Sequence, residues 1–216
     1  MARLSINPYN IFNEILVNAR DQIIRLQQSK SKNPVTKIDI EYDKDTKMWS
    51  IYNDGEGIDI ADHPTERDSK GKKINIVEMI FGHLLTSKNY DKDEKKIVGG
   101  KNGYGAKLTN IFSTYFKIET VDSKRKLKYV QEFTNNMRNK TKAKKTEYKS
   151  KSYTRISWIA DFKRFGKTKY SKDMLSLMVR RIYDLSGTTD KSINVSFNKQ
   201  KISVKTFDKY ISMIND

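Results

Sequence analysis

The chain has 216 residues, no cysteine, 36% hydrophobic and 32% charged residues, and a formal charge of +17. Such a length suits one domain with a substantial core, and the composition excludes disulfides, thiolate metal sites and any apolar run near the roughly 20 residues that span a bilayer. The charge favours a polyanionic partner, nucleic acid first, although lysines outnumbering arginines by more than three to one also fits A·T-rich codon choice.

Asn7-Pro8 reads as a helix start, Asn as N-cap and Pro at the first helical position. From there Ile11, Phe12, Ile15, Leu16, Ala19, Ile23 and Leu26 recur at three and four residues and form one apolar face. Glu14, Asn18, Asp21 and Gln22 form a polar stripe on the other flank; the plain reading is a solvated helix side. Alternation over 37–43 and 48–53 predicts a hairpin. A charged loop over 59–73 and a helix over 74–85 follow, then a polar stretch over 86–101 expected to be mobile.

Strands are predicted near 115–121, 126–133 and 153–159. The lysine-dense segment Arg138–Lys151 reads as a solvated hairpin tip, with a nucleic-acid or nuclear-import contact as the alternative. Ser171 caps a helix carrying Met174, Leu175, Met178, Ile182 and Leu185, with Gly187 placed to end it. A short hairpin over 193–204 and a terminal helix complete the chain. His63 and His83 are isolated and have no metal-ligand spacing. With no repeat and no linker, this is one unit of mixed strands and helices.

Three stretches carry chemistry. Gly99-Gly100-Lys101-Asn102-Gly103-Tyr104-Gly105-Ala106-Lys107-Leu108 leads into an apolar helical segment. Glycines let the backbone approach a ligand, and N–H groups at a helix start attract phosphate oxygens, so the segment reads as a polyphosphate cradle or as an ordinary surface turn. Ile51-Tyr52-Asn53-Asp54-Gly55-Glu56-Gly57-Ile58 follows a predicted strand, and an Asn-Asp-Gly run is also a common hairpin signal. The third is Ile11 to Asp21, with Glu14 and Asn18 four apart on one side of the helix.

In this order and at these separations the three stretches resemble the ATPase domain of type IIA DNA topoisomerases, in the eukaryotic and large-virus branch. The wider group includes gyrase, the ninety-kilodalton heat-shock chaperones, histidine kinases and mismatch-repair ATPases. The tract Gly103-Tyr104-Gly105-Ala106-Lys107-Leu108, followed by Asn110-Ile111-Phe112-Ser113, is similar to the topoisomerase branch specifically. The resemblance runs from about Ile11 to near the C-terminus.

It implies a Bergerat ATP-binding fold: an α/β two-layer sandwich with a mixed, mainly antiparallel sheet and helices on one face. Its ligand would be ATP with Mg²⁺. Carried over from the family, Glu14 is the general base that polarises water and Asn18 is the metal ligand. Gln22, where relatives have a shorter Asn, is a nucleotide contact, and Arg20 replaces a small residue. Asn53 reads the adenine amine while Gly55 and Gly57 admit the base. Ser87 and Asn89 touch ribose or phosphate, with Lys88 replacing a serine between them. Lys101 stands where arginine is usual. Backbone N–H groups of Asn102, Gly103, Tyr104, Gly105, Ala106 and Lys107 hold the β- and γ-phosphates, and the Lys107 side chain adds positive charge. Thr154 helps fix adenine.

The resemblance further implies that residues 1–216 are a single nucleotide-binding domain, without the family's N-terminal strap, transducer and DNA-cleavage domain. The full-length enzyme would be a homodimer acting on double-stranded DNA, with no membrane role, inside the cell in a nucleus or a viral replication site. The isolated domain is expected to bind ATP-Mg²⁺ weakly, as a monomer, with little turnover. Two competing readings are another ATPase of the same superfamily and a non-enzymatic basic nucleic-acid-binding module.

Overall fold

In the computed structural model, residues 6–83 and 105–215 are described. The first helix, α1 (Pro8–Gln28), begins where its capping residues dictate. Asn7 Oδ1 accepts the Asn10 N–H at 3.0 Å and Asn10 Oδ1 accepts the Asn7 N–H at 3.2 Å. Two end groups without helical partners are thus satisfied together, and Pro8 fits the first turn, where no N–H is needed. All seven apolar residues of the sequence stripe are buried.

β1 (Lys37–Tyr42) and β2 (Met48–Asn53) form the first hairpin. Next come β3 (Asp62–Arg67), β4 (Lys73–Asn75), α2 (Ile76–Gly82) and α3 (Gly105–Ile111). β5 (Ser113–Asp122), β6 (Leu127–Thr134), β7 (Asn139–Lys140), β8 (Lys144–Glu147) and β9 (Tyr153–Ala160) follow. The chain then runs through α4 (Lys172–Thr188), β10 (Asn194–Phe197), β11 (Gln200–Lys201) and α5 (Phe207–Asn215).

Nine strands make one sheet in the order β11-β10-β1-β2-β9-β5-β6-β7, with β8 also on β6. Among the described residues, β1 with β10 is its one parallel pairing. The sheet is therefore mixed and mainly antiparallel, as the strand pattern and the resemblance predict.

Directly opposed residues share a sheet face, so the register reads as rows. Trp49, Trp158, Phe116 and Phe133 form one row, and Ile40, Ile51, Ile156 and Ile118 a second. These apolar rows lie beneath the helices: Phe12 of α1 is 4.7 Å from Trp49 between ring centroids, and Phe81 of α2 is 5.9 Å from Phe116. Removing a ring such as Phe12 would cost about 3–5 kcal/mol. The third row is Ile38, Asn53, Thr154, Thr120 and Tyr129, and its middle is polar. That change marks where the core gives way to a site.

The structure departs from sequence expectations in three places. The charged loop over 59–73 contains the β3–β4 hairpin, whose turn forms because Asp68 accepts the N–H groups of Lys70 and Lys72 and Gly71 takes a φ of +77°. The following helix starts at Ile76 rather than 74, because Ile74 belongs to β4 and Asn75 caps the helix through Val77 N–H at 3.1 Å. Gly187 does not end α4 but lies inside it, where a Cβ would stand 2.8 Å from Tyr210 Cβ; the glycine lets α5 pack there. The stretch 86–101 lies outside the described residues, apart from any structural statement.

Candidate functional site

The polar flank of α1 meets the start of α3. Glu14 is half-buried, and a Cβ built on Gly105 would overlap its Oε2 and stand 2.8 Å from its Cδ. A side chain at 105 would fit only if the Glu14 carboxylate swung aside. Thr109, one turn along α3, fixes the approach: its Oγ1 lies 2.9 Å from Ile11 O and 3.1 Å from Gly105 O. Burial raises the Glu14 carboxyl above its ordinary pKa, because the charged form is poorly solvated. Burial also pushes the Lys107 ammonium down, and Lys107 is only 5% exposed. Ala106 is buried between them in sequence.

The polar middle of the third sheet row supplies the floor. Thr120 Oγ1 lies 2.9 Å from Thr154 Oγ1 and accepts the Ile58 N–H at 3.0 Å. Asn53 is 7% exposed, yet its Oδ1 is buried without a hydrogen-bond partner, as is Asp21 Oδ1. A buried acceptor left unpaired costs about 1–3 kcal/mol. Such an atom is suited to an N–H donor from outside the chain.

The loop after β2 is tied on every side. Asp54 accepts the N–H groups of Thr36 and Lys37, both at 2.8 Å. Gly55 presses on Val35 and Leu26, which a Cβ would approach to 2.5 and 2.8 Å. At Gly57 a Cβ would overlap the carbonyl of Val121, 2.6 Å from its carbon. Protein atoms fill the space left by both missing side chains. Gln22 donates from Nε2 to Glu56 O at 2.9 Å, and Ser31 Oγ donates to the Glu56 carboxylate at 2.6 Å. The Gln22 amide thus reaches the backbone of this loop.

Asn18 is exposed on α1, one turn beyond Glu14. Among the described residues no group of three or more His, Cys, Asp or Glu side chains could hold a metal. A cation beside Asn18 would need most of its oxygens from a ligand, which suits Mg²⁺ on phosphates. Ser87, Lys88, Asn89, Lys101, Asn102, Gly103 and Tyr104 lie outside the described residues. Of the others, the structure brings Glu14 to Gly105, pairs Asn53 with Thr154 and ties Gln22 to Glu56. Thr120 joins the site without a local sequence signal: its hydroxyl interrupts the inward apolar set Phe116, Ile118 of β5, which is visible only once the register is known.

The chain is 46% identical over 206 residues to DNA topoisomerase 2 of Meyerozyma guilliermondii, covering 95% of the chain and 14% of that protein. It is 45% identical to DNA topoisomerase 2 of Acanthamoeba polyphaga mimivirus, covering 95% of the chain and 15% of that protein. It therefore spans about one-seventh of the length of these curated relatives. Among solved structures, the ATPase region of Saccharomyces cerevisiae topoisomerase II bound to dexrazoxane superposes with a TM-score of 0.82 at 43% identity, covering 95% of this chain and 51% of that one. The ATPase and transducer domains of DNA topoisomerase II from Balamuthia mandrillaris superpose with a TM-score of 0.80 at 37% identity, covering 95% and 50%. No protein-family model matches the chain.

Proposed function

Because this chain belongs with the type II DNA topoisomerases, matching their ATPase region, we propose that it binds and hydrolyses ATP with Mg²⁺ as one nucleotide-binding domain. In the longer protein it would act as a homodimeric gate that passes one DNA duplex through another. The observation that carries the reading is the contact of Glu14 with Gly105, which sets a carboxylate beside the helix-start segment that suits phosphates.

Asn53 Oδ1 would accept the adenine amine, with Thr154 and Thr120 holding the adjacent edge through their hydroxyls. Gln22 and the close-packed Gly55 and Gly57 would fix the loop that presents Asn53, so Gln22 acts through the backbone of Glu56. Asn18 would hold Mg²⁺, which when bound neutralises charge across the phosphate oxygens. Lys107 would add a cation to the phosphates, and burial makes that ammonium depend on an anion. Glu14 would orient a water and take its proton; its raised pKa makes it a better proton acceptor than an exposed carboxylate.

Titrating a fluorescent ATP analogue with MgCl₂ into the chain tests this reading. Weak but saturable binding is expected, lost in Asn53→Ala and in Gly105→Val; unchanged affinity in both variants would overturn it. Turnover by the chain alone is expected to be slow, and rapid hydrolysis would contradict that part.

A further inference from the structure

We propose that the β3–β4 hairpin and the β7–β8 arm, the edge that pairs with β6, together form a contact surface for the phosphate backbone of double-helical DNA. Residues 138–151 hold seven cationic side chains against the single carboxylate of Glu147, and residues 67–73 hold Arg67, Lys70, Lys72 and Lys73 against Asp68. The segments are far apart in sequence, but the fold joins them. Lys145 Nζ lies 3.7 Å from Asp62 at the base of the first hairpin, and Lys140 Nζ lies 2.6 Å from Glu78 just after it.

The first pair joins the β3–β4 hairpin to the β7–β8 arm, and the second ties that arm to α2. Arg138, Lys142, Lys144 and Lys151, with Lys70, Lys72 and Lys73, are exposed, and among the described residues no carboxylate oxygen lies within 4 Å of their charged side-chain nitrogens. The Asp68 carboxylate accepts the backbone N–H groups of Lys70 and Lys72. Like charges gathered this way repel one another and raise the local potential, and a polyanion relieves both. Lysines on an edge strand such as β8 also discourage strand pairing. Lys70 and Lys72, however, sit in a turn with no edge to protect.

The chemistry selects a duplex. Tyr148 is the one Phe, Tyr or Trp in residues 67–73 and 138–151, so these segments offer no stacking platform for unpaired bases. The cations are mostly lysines, point charges that meet phosphates without reading bases. Binding should therefore be indifferent to sequence and steeply weakened by salt. This surface rests on the family reading and adds to it a place where duplex DNA meets the domain.

The test is fluorescence anisotropy of a labelled duplex of about 20 base pairs, titrated with the whole chain between about 50 and 200 mM salt. Three charge-matched variants are compared: Lys142→Gln/Lys144→Gln/Lys151→Gln, Lys70→Gln/Lys72→Gln/Lys73→Gln, and, on the exposed segment elsewhere, Lys163→Gln/Lys167→Gln/Lys169→Gln. The first two should weaken binding about tenfold or more and flatten the log–log salt slope by about 2–3, the third by much less. Equal loss in all three would reveal net charge alone and overturn the proposal. Tighter binding of a single strand than of the duplex would overturn it as well. So would absence of duplex binding in a chain that still titrates with the ATP analogue, which would leave the nucleotide reading standing.

Discussion

The Glu14 carboxylate lies against the Gly105 α-carbon, where a Cβ would overlap its Oε2 unless the carboxylate swung aside. One residue sits in the second turn of α1 and the other begins α3, so the contact sets the spacing between a charged group and a helix N-terminus. Gly105→Ala would force the carboxylate or the helix to move. Overpacking of this kind costs about 1–3 kcal/mol. Thermal unfolding should show that loss, and hydrolysis per bound nucleotide should fall with it. An Ala variant as stable and as active as the parent would contradict the contact.

Glu14 also makes a pH-dependent prediction. Its native pKa lies above the ordinary 4.5, so ionisation costs the folded state more than the unfolded chain. The cost is absent below the unfolded value, grows as pH rises towards the native one, and is complete above it. Glu14→Gln removes the cost. The variant should melt at the parent's temperature near pH 4 and above it at pH 7, while its residual hydrolysis falls at least about 100-fold. A variant less stable than the parent at pH 7 would show that Glu14 is favourably solvated after all.

For Asn53, ligand binding and stability should separate. Its Oδ1 has no partner among the described residues, so Asn53→Ala sacrifices no hydrogen bond to them through that atom. Nucleotide affinity should drop about tenfold or more, equivalent to about 1.4 kcal/mol, while the melting temperature changes little. Asn53→Asp, which still offers an acceptor, should retain binding of the adenine nucleotide. Equal affinity for ATP and GTP in the parent chain would remove the base-reading role.

The Gln22 amide tests the loop. Gln22→Ala deletes the 2.9 Å hydrogen bond to Glu56 O and should cost about 0.5–1.5 kcal/mol. Gln22→Asn shortens the side chain by one methylene and should restore little of it. Hydrogen exchange should quicken across 55–58 in both variants. If exchange there is unchanged while nucleotide affinity falls, Gln22 contacts the ligand directly.

Much of this was legible in the chain. α1 could be read from Asn7, Pro8 and a stripe at helical spacing, because capping and amphipathicity are local. The closeness of Glu14 and Gly105 follows from the family resemblance but not from periodicity. The polar row of Asn53, Thr154 and Thr120 depends on pairing strands distant in the chain, Asn53 with Thr154 and Thr154 with Thr120, which no local pattern encodes. Local readings also mistook the β3–β4 hairpin for loop, since its residues are charged and its turn rests on Asp68 and Gly71. Gly187 looked like a stop signal because its neighbour Tyr210 lies three elements further on, in α5. The adjacency of the two lysine-rich segments is likewise a tertiary fact.

The two tryptophans, Trp49 and Trp158, face each other across β2 and β9, fully shielded and close to Phe12. Intrinsic fluorescence of this protein therefore has a built-in gauge at the centre of the sheet. Emission should begin at short wavelength, resist aqueous quenchers such as iodide, and shift red in a single step when the α1–sheet contact parts. Nucleotide arriving at the far row should leave that signal nearly untouched, so denaturation and ligand occupancy can be followed optically as separate events.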